Sequence, residues 1–374
     1  MLIKRKIEDL VKKSLFKGKI IIIYGARQVG KTTLVKEIER SYSDNSSYFN
    51  CDERDVREAL TNKTSTELKQ FIGDKKLVII DEAQRVENIG LTLKLLADNF
   101  SDMQIIATGS SSFDLSNKIS EPLTGRKNEF YLYPFSLEEL GQIYSDLELD
   151  RLLENRMIFG MYPEIVKDQK NASKKLKSIS QSYAYKDILA YQNIKNPEIL
   201  EKLLQALALQ LGSEVSYNEL ASTVGIDKNT VSSYIRILEQ AFIIFRLKPF
   251  RKNLRVELRK LRKVYFYDNG MRNALINNLN PLHLRQDVGA LWENFMLSER
   301  VKYNSWQEVF KNTYFWRTKK QEIDYLEEEA GKLEAFEFKW QSDKLKIPKA
   351  FAEAYSQTPV TLITRKNYQE FLGI

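Results

Sequence analysis

The sequence predicts an α/β protein of several domains, and three observations carry that prediction. Over the first 135 residues, apolar runs of strand length alternate with helical patterns, the order that builds a parallel sheet with right-handed crossovers. From Ser136 to about Leu211 the pattern is almost unbroken helix, with few glycines. The chain then ends in aromatic, strand-rich segments with period two. A chain of 374 residues is too long for one typical core, which agrees with two or three domains.

Charge adds a clue about partners. The 58 Lys and Arg against 50 Asp and Glu give a net +8, which favours polyanions, although a lysine-rich surface accounts for it equally well. The location of the charge therefore matters more than its sum. Cys51 is the one cysteine and cannot form an intramolecular disulfide, and a lone His283 cannot build a zinc site of the Cys/His kind. The N-terminus has basic residues but no following apolar stretch of signal-peptide length, and no segment approaches ~20 apolar residues. The expectation is a cytoplasmic protein in a reducing compartment, with no membrane partner.

Taken in order, Leu2 to Lys17 reads as a charged amphipathic helix, and Ile20-Ile21-Ile22-Ile23 as a buried strand. The strand runs into Gly25-Ala26-Arg27-Gln28-Val29-Gly30-Lys31-Thr32, and Thr33-Leu34-Val35-Lys36-Glu37-Ile38 leads out with helical spacing. This is G-x-x-x-x-G-K-[ST] in the strand, loop, helix context that a P-loop requires, where backbone N–H groups and a helix N-terminus cradle nucleotide phosphates. Gly25 to Thr33 are thus candidate ATP-binding residues, with Lys31 on the β- and γ-phosphates. After a strand at Ser47–Asn50 and a helix from about Asp52 to Leu60, Lys76 to Ile80 form a third strand ending in Asp81 and Glu82. That is a Walker B arrangement: Thr32 and Asp81 would hold Mg²⁺, and Glu82 would orient and polarise the attacking water. The alternative is a pair of acids capping the next helix. A fourth strand, Met103 to Thr108, ends in Gly109-Ser110-Ser111-Ser112, so Thr108 and Ser110 lie where a polar group could sense the γ-phosphate, unless this is a simple serine turn. Arg126 precedes the last strand, Asn128 to Tyr133, and is a candidate for transition-state charge in cis or from a neighbouring subunit; the alternative is a surface arginine.

These motifs, together with Ile80-Asp81-Glu82-Ala83-Gln84, Thr108-Gly109-Ser110-Ser111 and Gly125-Arg126 before Tyr133-Pro134-Phe135-Ser136, resemble a prokaryotic AAA-type (AAA+) P-loop ATPase family whose members carry a C-terminal nuclease-like domain of unknown function. Gly160-Met161-Tyr162-Pro163-Glu164, Tyr265 to Gly270 and Gly289 to Phe295 extend the likeness over nearly the whole chain. The resemblance implies an ATP-binding core over 1–135 and a helical lid over 136–211.

Residues Ser213 to Leu247 carry helix-turn-helix spacing: a short helix after Val215, a break at Gly225, and a second helix capped by Asp227 and running to about Gln240. Val231, Ile235 and Leu238 share one face of that helix. Lys228, Asn229, Ser232, Ser233 and Arg236 point outward, residue types that meet phosphates and base edges in a major groove. Phe242 to Leu247 would begin a wing, completing a winged helix over 212–250. Such modules also serve as protein contacts, so a protein partner or a second copy of the chain stays open. The basic residues between Arg246 and Lys263, with Glu257 the single acid, extend the candidate DNA contact.

In the last segment, 251–374, Asp324 and Glu337-x-Lys339 stand on adjoining strand patterns, with Glu293 on an upstream helix. The set resembles the PD-(D/E)XK constellation of a restriction-endonuclease-like α/β domain. That likeness implies that Glu293, Asp324 and Glu337 offer Mg²⁺ hard oxygen ligands and that Lys339 prepares water; the alternative is a half-exposed strand with alternating charges.

Overall fold

The computed structural model describes residues 2–110, 119, 121–180, 197–250, 262–307, 310–318 and 321–374. The chain divides into two compact units: residues up to Phe135 with Gln240–Phe242, and Ser136–Glu239 with Ile243–Ile374.

The first unit is a parallel sheet wrapped by helices. Its elements are α1 (Lys6–Lys13), β1 (Ile20–Tyr24), α2 (Lys31–Arg40), β2 (Ser46–Asn50), α3 (Arg54–Leu60), α4 (Ser65–Ile72), β3 (Leu77–Asp81), α5 (Ile89–Asn99), β4 (Gln104–Gly109) and β5 (Lys127–Tyr131). The strand order is β2-β3-β4-β1-β5, and every pairing is parallel. Helices covering both faces of such a sheet demand continuous apolar strands, and β1, β3 and β4 are buried at every position. The order brings the carboxyl ends of β1, β4 and β3 side by side, so the loops that leave them meet at one edge. The first helix is shorter than the charge pattern suggests, because Arg5 is already extended at φ −85°, ψ 137° and leaves the helix for another contact.

The second unit begins with helices α6 (Leu137–Leu140), α7 (Asp146–Phe159) and α8 (Pro163–Lys167), with further helix over 172–180, and resumes at α9 (Pro197–Leu209). The expected near-continuous helix is therefore broken. At Gly160 the backbone turns left-handed (φ +78°), and a Cβ there would stand 2.1 Å from Asp268 Oδ1, a close approach that only glycine permits. Next come β6 (Glu214–Val215), α10 (Tyr217–Val224), α11 (Lys228–Gln240), β7 (Ile244–Pro249), β8 (Arg262–Phe266), α12 (Asn269–Leu275) and α13 (Val288–Trp306). The chain closes with β9 (Asn312–Arg317), β10 (Glu322–Glu329), β11 (Lys332–Phe338), α14 (Lys349–Ala354), β12 (Val360–Ile363) and α15 (Tyr368–Leu372).

These strands form one sheet in the order β12-β11-β10-β9-β7-β8-β6. The strands after the helix-turn-helix pattern and those of the C-terminal segment are thus joined, through parallel pairing of Lys248 with Tyr314 and Pro249 with Phe315. Trp316, Ile323, Leu326, Ala335 and Phe351 pack together as a buried cluster over that sheet. Among the described residues no helix is long and apolar enough to cross a membrane.

Candidate functional site

The P-loop residues leave β1 at Tyr24 and enter α2 at Lys31, so the motif sits where the apolar strand ends. Gly25 is required by sterics: a Cβ there would meet the Leu132 carbonyl oxygen at 2.1 Å. Gly25→Ala is expected to push the loop off this strand end, costing about 1–3 kcal/mol of stability and abolishing nucleotide binding, as thermal melting and a nucleotide titration would read. Lys31 is buried and its Nζ donates to the carbonyls of Gly25 (2.8 Å) and Ala26 (3.0 Å), so the ammonium lies over the loop. Val29 is fixed from behind by Arg5, whose guanidinium donates to Val29 O and Tyr133 O at 2.6 Å each and stands over the Phe135 ring.

Asp81, at the end of β3, is the hub beside the loop. Thr32 Oγ1 (2.7 Å) and Tyr48 Oη (2.6 Å) donate to its Oδ2, and Thr108 Oγ1 donates to its Oδ1. Burial, reinforced by the Asp81 carboxylate, pushes the Tyr48 phenol well above its ordinary pKa, so it stays a proton donor. Burial likewise pushes the neighbouring Cys51 thiol up to about 12, which makes it inert. Glu82 holds a left-handed backbone (φ 53°), uncommon for a residue with a Cβ, and its N–H donates to Thr108 Oγ1 at 3.1 Å. Its carboxylate accepts from Gln84 Nε2 at 2.5 Å, and the same amide reaches Ser110 Oγ at 3.0 Å. Lys31, Thr32, Asp81, Glu82, Thr108 and Ser110 thus meet at one edge of the sheet. Ser111 and Ser112 lie outside the described residues.

Arg126 does not join them. Its carbonyl accepts from Ile20 N, at the opposite end of β1, and its guanidinium pairs with Asp98 at 2.6 Å. Five strand residues separate that end from Gly25, roughly 16 Å, so contact in cis is excluded and only contact from a neighbouring subunit stays open.

In the second unit, α11 buries Val231, Ile235 and Leu238 and exposes Lys228, Asn229, Ser232, Ser233 and Arg236. Asp227 Oδ1 caps the helix by accepting from Asn229 N (2.8 Å) and Thr230 N (3.0 Å). The expected basic contact between Arg246 and Lys263 needs correction at both ends. Arg246 is committed to Glu239 through a two-point pair and to Tyr217 Oη. Lys263 is 1% exposed and faces inward. Residues 251–261 lie outside the described residues, while Lys248 is exposed.

The expected metal ligands Glu293, Asp324 and Glu337 do come near one another, with Asp324 at a shift of register between β9 and β10. Burial and the nearby Asp324 carboxylate raise both Glu293 and Glu337 to about 7. Each acid is nevertheless already engaged. Glu293 Oε1 accepts from Lys263 Nζ (3.2 Å) and Tyr265 Oη (2.5 Å), Asp324 Oδ2 accepts from Phe338 N (2.9 Å), and Glu337 pairs with Lys339 (3.3 Å). Among the described residues, no three His, Cys, Asp or Glu side chains are grouped so as to hold a metal ion.

Comparison with known proteins separates the chain into three stretches. Residues 17–141 match the family model described as AAA domain. The match supports an AAA-type P-loop ATPase core. Residues 150–282 and 288–371 match two domains of unknown function (DUF8612 and DUF4143). An uncharacterized protein of Methanocaldococcus jannaschii is 28% identical over 337 residues, covering 83% of this chain and 73% of that protein. One of Mycobacterium tuberculosis is 25% identical over 346 residues, covering 91% and 74% respectively. Among solved structures, Drosophila ORC bound to AT-rich DNA and Cdc6 aligns with a TM-score of 0.27 at 10% identity, over 73% of this chain and 89% of that one, a likeness too low to establish a shared fold.

Four residues of these two centres escaped the sequence reading. Arg5 and Tyr48 act at the AAA-type core from outside its motifs, Gln84 stood in a quoted motif without a role, and Lys263 was assigned to the DNA contact. Alternation along β8 was the one available signal for Lys263, since Tyr265, two residues on, shares its face.

Proposed function

We propose that the chain binds ATP and hydrolyses it with Mg²⁺, and that its nucleotide state controls a DNA-contacting region. The observation that carries the reading is the meeting of Lys31, Thr32, Asp81, Glu82 and Thr108 at the carboxyl ends of three adjacent parallel strands. Lys31 would exchange its loop carbonyls for the β- and γ-phosphates, and the N–H groups of 25–33 would cradle them. A threonine hydroxyl and an aspartate carboxylate are hard oxygen donors that suit Mg²⁺; Thr32 and Asp81 would hold it, where its charge offsets that on the phosphate oxygens. Glu82 would accept a hydrogen bond from the attacking water and align it, and Thr108 and Ser110 would sense the terminal phosphate.

The DNA part of the reading is supported by the exposed polar face of α11 on a helix-turn-helix followed by antiparallel strands β7 and β8, the order of a winged helix. The nuclease reading is favoured by the closeness of Glu293, Asp324 and Glu337, but their donors do not fit a metal centre, and no hydrolytic role is derived for them. Steady-state ATP hydrolysis with Mg²⁺, with and without duplex DNA at several salt concentrations, tests the proposal. Turnover stimulated by DNA is expected, with binding that weakens as salt rises by a log–log slope of about 0.9 per phosphate contacted. Stoichiometric ATP retention without product or DNA effect would instead indicate a non-enzymatic switch acting on a protein partner.

A further inference from the structure

Lys263 lies on β8, buried, with its Nζ 3.2 Å from Glu293 Oε1, in an ion pair with Glu322 and 5.6 Å from the centre of the Phe315 ring. It therefore joins three elements: its own strand, helix α13 through Glu293, and strand β10 through Glu322. Tyr265, on the same face of β8, gives its hydroxyl to the same Glu293 oxygen at 2.5 Å. The acids that a divalent ion would need thus already receive donors from the chain. Asp324 takes the Phe338 N–H and Glu337 takes Lys339, which is 46% exposed at the rim.

We propose that the Lys263 ammonium is the resident cation of the Glu293–Asp324–Glu337 cluster, so that this centre is a metal-independent charge lock joining β8 to α13 and β10. A Mg²⁺ or Mn²⁺ ion takes about six oxygen ligands and cannot use an oxygen whose donors are an ammonium and a phenol. Expelling the ammonium is no remedy, because Lys263 has no solvent to enter and would stay as an uncompensated buried charge beside the incoming ion. A single lysine can hold the place of a metal here because its buried ammonium reaches both Glu293 and Glu322, whereas Lys339 pairs with Glu337 from the edge. The lock adds a side-chain tie between β8, which joins the sheet by pairing with β7, and acids of the C-terminal elements.

The test is Mn²⁺ titration calorimetry on the full chain without nucleotide, comparing wild type with Asp324→Asn and Glu337→Gln. Any Mn²⁺ taken up at Asp81 is common to all three. The same stoichiometry and affinity in all three is expected; a Mn²⁺ bound by wild type and lost from either variant overturns the lock. Lysine acetylation read by mass spectrometry gives a second measure: Lys263 is expected to stay protected in excess Mn²⁺, and labelling that rises with Mn²⁺ overturns the proposal. Lys263→Met keeps the volume and removes the charge. If it folds, it is expected to gain one Mn²⁺ that Asp324→Asn abolishes in the double variant, and a folded Lys263→Met that gains none refutes the ammonium as the group excluding metal. These outcomes do not depend on the ATP site.

Discussion

Glu82→Gln is expected to leave ATP binding intact while lowering turnover by about 10²–10⁴-fold. The glutamine keeps the size of the side chain, and the left-handed backbone at residue 82 is set by its neighbours, including the N–H donated to Thr108, so the local fold survives the change. What disappears is the negative charge that, in the proposed reaction, would align and polarise water. Single-turnover product formation and nucleotide affinity, measured on the same preparation, separate the two effects. Wild-type turnover in the variant would remove Glu82 from the mechanism, and a loss of affinity equal to the loss of rate would make it a binding residue instead.

Lys31→Ala should act on the other term. Its ammonium now bonds two loop carbonyls, which water can replace, so stability should change little. In the proposed ATP complex, the lost contacts would be hydrogen bonds from a cation to phosphate, each worth about 1.5–3 kcal/mol. Two such bonds correspond to an affinity loss of at least ~100-fold, and turnover should fall below detection. A melting temperature near wild type together with undetectable hydrolysis is the expected pair of results. An ATP affinity equal to wild type would show that the P-loop does not hold phosphate, and the ATPase reading would fall with it.

The parts of the site that were legible in the sequence are those whose geometry is local. A strand running into Gly25–Thr32, or one ending in Asp81 and Glu82, places its functional groups within a few residues of an element that hydrophobic periodicity reveals. The outward face of α11 was legible for the same reason, since the 3.6-residue repeat assigns Lys228, Ser232 and Arg236 once Val231 and Ile235 are known to be buried. Charge was not legible in this way. Arg246 and Lys263 read as candidates for a polyanion and Arg126 for transition-state charge, yet the first two are spent on Glu239, Glu293 and Glu322, and the third lies at the far end of β1.

By itself, then, the sequence determined the alternation of strands and helices in the first unit, the loop that follows β1, the acids that follow β3 and the helix pair around Gly225. Each depends on contacts along the chain or on a repeat that one segment carries alone. Only the tertiary structure decided that Arg5 braces Val29 and Tyr133, 24 and 128 residues away, that Tyr48 serves Asp81, and that Lys263 lies among the C-terminal acids. A long side chain with a charge at its tip is equally at home in water or in a buried pair, and nothing within its own segment says which. That choice is made by the strand order, which brings distant acids and carbonyls within reach of it.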